Sequence, residues 1–205
     1  RILHDIDILV KEEMFEKAAG ILIRDGYQSH YPYDPLNKDR IKHYPILFKP
    51  GEPVYVELHR IPVGRRYSEF FNSEMVLGSG KNPVNRSDCL VMSDYHKIIH
   101  NFLHAQMEHQ AHLYAREYIR NLYDFLLLSG RSEPEKVLED FGHFRRESRG
   151  YLDITWLTFA LTPVKRKNPG LFLHTYLFRY YLNMRYRFAE LTSLILIRLF
   201  TGYII

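Results

Sequence analysis

The sequence predicts a mixed α+β protein: a small mixed sheet with flanking helices over residues 1–92, then an all-helical domain over 93–205. Three observations carry this reading. Near the start, Ile6, Ile8 and Val10 alternate with Asp5, Asp7 and Leu9, the period of a half-buried strand. Two further runs, 41–48 and 54–61, flank Lys49-Pro50-Gly51-Glu52-Pro53, a strong turn signal, and so form a hairpin. From Ser93 the apolar spacing changes to three and four, through Ile99, Leu103, Met107, Ala111, Tyr114, Tyr118, Leu122 and Phe125.

The elements follow in order. Ile6 and Ile8 should project into the core from the first strand. The next segment, 11–24, reads as a helix, because Phe15, Ala18, Ala19, Leu22 and Ile23 recur at helical spacing and Gly26 supplies a stop. Residues 31–39 are rich in Pro, Asp and Asn and read as a loop. After the hairpin, 72–88 reads as irregular. The first long helix ends near Gly130. Ser132-Glu133-Pro134-Glu135 opens the next, with Ser132 as cap, Glu135 reaching back and Pro tolerated in the first turn. Residues 170–200 read as helical again, with Gly202 as the stop.

Composition narrows the class. A chain of 205 residues can bury a real core and form one or two domains. Hydrophobic residues at 46% and charged residues at 25% argue against disorder. No run reaches the roughly 18 apolar residues of a membrane span; 191–205 is short and broken by Arg198. The one cysteine, Cys89, rules out an internal disulfide framework and a multi-Cys metal site, and fits a reducing compartment, the cytoplasm. A net charge of +4 permits attraction to phosphates without indicating nucleic acid. The 15% aromatic content reads as packing. Because Arg1 stands directly before a core strand and is not Met, further chain is expected upstream.

The chemistry concentrates in two strands. Residues two apart on a strand share a face, so Asp5 and Asp7 project together. Two close carboxylates repel unless a cation lies between them, and paired hard oxygens suit Mg²⁺ or Mn²⁺. In the second strand Val54, Val56 and Leu58 share the core face, while Tyr55, Glu57 and His59 share the other. If the strands lie side by side, Glu57 completes a three-carboxylate cluster able to hold divalent ions. A solvated strand edge and a wet hairpin are the plain alternatives.

These segments resemble a known group. Asp5-Ile6-Asp7-Ile8-Leu9-Val10 preceded by Arg1, a helix ending in Asp25-Gly26-Tyr27, and Val56-Glu57-Leu58-His59 look like the bacterial nucleotidyltransferases of the DNA polymerase beta-like superfamily. Leu90-Val91-Met92-Ser93-Asp94, then Ile99-His100-Asn101-Phe102-Leu103-His104-Ala105, is similar to that group's step into its first long helix, and Leu122-Tyr123-Asp124 to a later turn. The resemblance covers about the first 130 residues. It implies a palm-like sheet and transfer of a nucleoside monophosphate from an NTP such as ATP to an acceptor hydroxyl, with release of pyrophosphate. It places metal ligation and catalysis on Asp5, Asp7 and Glu57, with Mg²⁺ or Mn²⁺ as cofactor. The superfamily carries a Gly-Ser element upstream of Asp-x-Asp, and here that element would precede Arg1. The helical domain would close the cleft and present the acceptor, which could be a small molecule, a protein hydroxyl or an RNA end. Arg1, Lys42, His59 and His104 are candidate nucleotide contacts.

Other features carry less. Gly78-Ser79-Gly80-Lys81-Asn82 lacks the earlier Gly, where Met75 stands, and the Ser or Thr, where Asn82 stands, that a phosphate loop needs. His96, His100 and His104 share one helix face, where packing and hydrogen bonding outweigh zinc. Arg120 and Asp124 read as a surface ion pair. Arg179, Arg185, Arg187 and Arg198 read as a solvated basic face. Two rival functions remain: a nucleotide-sugar glycosyltransferase using Asp-x-Asp, and a non-catalytic nucleotide-binding module.

Overall fold

The computed structural model describes residues 5–80, 90–109 and 119–158. The expected last helix over 170–200, the arginines it carries, Arg1, Lys81, Cys89, and Ala111, Tyr114 and Tyr118 of the apolar stripe lie outside the described residues. The chain divides into two compact units, Arg1–His96 and Lys97–Ile205.

The first unit is built on a four-stranded sheet of β1 (Asp5–Leu9), β2 (Gln28–Ser29), β3 (Leu47–Phe48) and β4 (Tyr55–His59), in the order β1-β4-β3-β2. β1 runs parallel to β4, and the other pairs are antiparallel, so the sheet is mixed. The return from β1 to the hairpin passes through α1 (Phe15–Arg24), entered by a short 3₁₀ turn at Glu12–Met14. α1 ends as the sequence expects. Gly26 has φ of 94°, its N–H donates to the Ile23 carbonyl, and the Tyr27 N–H donates to Leu22, the pairing of a Schellman cap.

Phe15 and Ala19 of α1 pack with Tyr44, Leu47, Val56 and Leu58, so the helix covers the Val56/Leu58 face of the sheet. Glu57 projects from the opposite face of β4. The first strand is less buried than its alternation suggests. Ile6 and Ile8 lie beside Val56 and Leu58 on the apolar face, yet they are 49% and 37% exposed. Among the described residues β1 is an edge strand, and the packed core gathers over β4 and β3.

The hairpin is present, but its first arm is shorter than expected. Regular pairing is confined to Leu47↔Val56, with an isolated bridge at His43↔His59. Between these points the first arm advances four residues and β4 only three, so one residue is extra. Pro45, which has no N–H to give the ladder, lies in that stretch. The bulge keeps Tyr44 N–H on the Leu58 carbonyl and sets the His43 ring 5.2 Å from that of His59.

Residues 72–88 are not wholly irregular, since α2 (Ser73–Gly78) forms there. Asn72 caps it, its side chain accepting the Met75 N–H at 3.0 Å. After α2, Ser79 meets His96 Nδ1. His96 is buried, and burial lowers its pKa from the ordinary 6.5. Protons in acid therefore go preferentially to the unfolded chain. The His96 contribution to stability is whole above pH 6.5 and is lost as pH falls toward the lowered folded value. Urea unfolding at a series of pH values should show this decline, and His96→Gln should flatten it. An unchanged slope in the variant would remove His96 as the cause.

The second unit is helical in its described residues. It takes in most of α3 (Asp94–Phe102), a π turn (Leu103–Glu108), α4 (Ile119–Ser129), α5 (Pro134–Phe141) and α6 (Arg145–Thr158). Ile99, Leu103, Met107, Leu122 and Phe125 of the apolar stripe are all buried. Tyr151 is fully buried against Phe125, with its hydroxyl donating to Asn101 Oδ1 at 2.7 Å. Asn101 in turn donates to the Asn121 carbonyl, so α3, α4 and α6 share one polar link inside an apolar core. The opening of α5 differs by one residue from the expected cap. Pro134 holds the first helical position, which makes Glu133 and not Ser132 the cap residue, with no side-chain cap bond.

Candidate active site

The site grows from the register of β1 on β4. The parallel pairing sets Asp7 beside Glu57, and the pleat puts both on the face opposite Val56 and Leu58. His59 lies two residues beyond Glu57, hence on the same face. Its ring reaches back across the strands. His59 Nε2 lies 2.9 Å from Asp7 Oδ1 and 3.4 Å from Glu57 Oε2. One ligand atom from each of the three falls within 4.8 Å of the others.

The three side chains are graded in depth. His59 is 10% exposed, Glu57 21% and Asp7 69%. An imidazole thus forms the floor and a carboxylate the open rim. Glu57 and His59 belong to β4, which is paired on both sides, with β1 and with β3. Two adjacent carboxylates repel each other, and a proton on His59 or a cation between them offsets that repulsion. A carboxylate pair with one imidazole is a donor set that fits a divalent metal ion.

Asp5 stands one pleat period before Asp7, opposite Tyr55, on the same side of β1. Lys42 precedes the bulge, and its carbonyl accepts the Arg60 N–H. His43, beside His59, donates Nδ1–H to the Tyr44 carbonyl at 2.8 Å, which leaves its Nε2 as the basic nitrogen. Arg60, buried at the end of β4, bonds the Ile41 carbonyl and Glu12, tying the turn after β1 to the hairpin. His104 belongs to the second unit, where its Nδ1 meets Glu108.

The structure therefore brings together Asp7 and Glu57, as the alternation of the two strands suggests, and adds His59 as a third donor. The signal for His59 was the parity of Glu57 and His59. What the sequence lacked was the cross-strand reach of the ring to Asp7. Among the described residues, no helix is long and apolar enough to cross a membrane.

A family described as uncharacterised nucleotidyltransferase matches residues 1–161, and the chain belongs to it. This agrees with the nucleotidyltransferase resemblance of its strands and makes the chain a transferase by class. No curated protein and no solved structure matches the chain.

Proposed function

We propose that this member of the nucleotidyltransferase family transfers a nucleoside monophosphate from an NTP to an acceptor hydroxyl, using the carboxylates of β1 and β4 with a divalent metal ion. The observation that supports this most strongly is the Asp7–Glu57–His59 convergence on one sheet face. Asp7 and Glu57 would hold the ion, with Asp5 as a further carboxylate from the same strand face. The ion, Mg²⁺ or Mn²⁺, would supply Lewis-acid stabilisation of the charge on the phosphoryl and leaving groups.

The chain's own groups do the rest. The acceptor oxygen bonds the α-phosphorus, the bond to the β-phosphate oxygen breaks, and pyrophosphate leaves. The acceptor proton passes to a carboxylate oxygen of the cluster. His59 donates Nε2–H to Asp7 and so fixes the rotamer of the more exposed carboxylate. Arg1 and Lys42 are the cations proposed to face the triphosphate. Holding the reactants in line and placing fixed charge around them supply most of the acceleration in such a site.

The test is to supply the full chain with each NTP, Mg²⁺ or Mn²⁺ and candidate acceptors, and to follow pyrophosphate. Release should require the metal and stop with EDTA. Turnover of a UDP-sugar without turnover of any NTP would favour the glycosyltransferase reading and overturn this one.

A further inference from the structure

We infer that the π turn at Leu103–Glu108 carries a second metal site, selective for a borderline transition ion such as Zn²⁺, with His104 and His109 as ligands. The inference stands apart from the proposed nucleotidyl chemistry. It rests on side chains of the second unit alone. In a regular α-helix residues five apart diverge by about 140° around the axis. The wider turn here closes an i to i+5 bond, His109 N–H to the His104 carbonyl at 3.2 Å, and brings the two rings to one side. Their Nε2 atoms lie 3.0 Å apart. Adjacent nitrogens on tetrahedral Zn²⁺, at about 2.0–2.1 Å from the ion, stand roughly 3.3 Å apart, so a small opening of the pair would admit the ion.

The second observation is the state of His104. Its Nδ1 lies 2.8 Å from Glu108 Oε2, and a carboxylate accepts, so the proton sits on Nδ1 and the lone pair on Nε2. That is the carboxylate–histidine arrangement that orients metal ligands and makes them more basic. The His100 ring stacks on that of His104 at 5.6 Å and 14°, which further restricts its rotation. His109 is exposed, giving the ion access from solvent. Without metal, His109 Nε2–H donates to His104 Nε2. On binding, neutral His109 shifts its proton from Nε2 to Nδ1 through solvent, both Nε2 lone pairs turn to the ion, and water fills the remaining positions. Nitrogen donors discriminate against Mg²⁺, which seeks oxygen.

The experiment uses the full chain without a histidine tag, titrated with Co²⁺ as a visible probe and Zn²⁺ by chelator competition. Excess Mg²⁺ is kept present. A parallel arm uses the D7N/E57Q background, which disables the sheet cluster. One equivalent of Co²⁺ should bind in both arms, insensitive to Mg²⁺. Affinity should fall at least tenfold in His104→Gln and in His109→Gln, and by about tenfold in Glu108→Gln. His109 is exposed, so its substitution leaves folding intact, and circular dichroism checks each variant. Equal affinity in His109→Gln and the parent, or displacement of Co²⁺ by Mg²⁺, would overturn the site. Loss of Co²⁺ only in D7N/E57Q would assign the ion to the sheet cluster. Failure of NTP turnover bears on the other reading and leaves this one standing.

Discussion

Glu57→Gln should reduce nucleotidyl transfer by roughly 10²–10³-fold or more while leaving the fold in place. The substitution is nearly isosteric and removes one negative charge from a half-buried position on the central strand. In the ground state that charge lies beside Asp7, so its loss relieves repulsion, and stability should hold or rise slightly. In the proposed transition state it would help hold the ion that balances the charge on the phosphoryl group, and a neutral amide would not supply that charge. Rate and stability thus move in different directions, which a mere folding defect cannot produce. Pyrophosphate release and a denaturation curve measured on the same preparation give both numbers. Equal turnover in variant and parent would remove Glu57 from the mechanism.

Leu58→Ala should have the largest effect on stability, about 2–5 kcal/mol. Leu58 is 1% exposed and sits between Glu57 and His59 on the opposite face of β4. It packs with Phe15 and Ala19 of α1 and with Leu47 of β3. Truncation leaves a cavity where helix and sheet meet, and the strand cannot collapse into it without disturbing its pairing with β1. That pairing sets Asp7 beside Glu57. The variant should therefore unfold at lower denaturant and lose activity on warming before the parent does. A shift of less than about 1 kcal/mol would mean that the α1–sheet contact is not the core of the first unit.

Much of this site could be read in the sequence, because strand alternation is a local property. The alternation of Asp5 and Asp7 with Ile6, and of Glu57 with Val56 and Leu58, puts the carboxylates on one side of each strand whatever the pairing. What alternation cannot reveal is a strand's place in the sheet. Ile6 and Ile8 read as core residues, but an edge strand leaves them on the rim. The bulge near Pro45 escaped for a related reason: both arms alternate, and only their pairing exposes the extra residue. The π turn was hidden because Ile99, Leu103 and Met107, four apart, suit either helical form. The Asn72 cap was legible in principle, since Asn followed by Ser73 and Glu74 is a helix-start pattern. Pro134 likewise fixes Glu133 as the cap and outranks the stronger capping chemistry of Ser132.

The position of a bound ion tests the proposed carboxylate site most directly. Crystals of the full chain grown with Mn²⁺ and a non-hydrolysable NTP analogue would show manganese by its anomalous scattering. A peak is expected between Asp7 and Glu57, within ligand distance of both carboxylates and of a phosphate oxygen. Nucleotide bound with manganese elsewhere, and no peak at these two side chains, would contradict it.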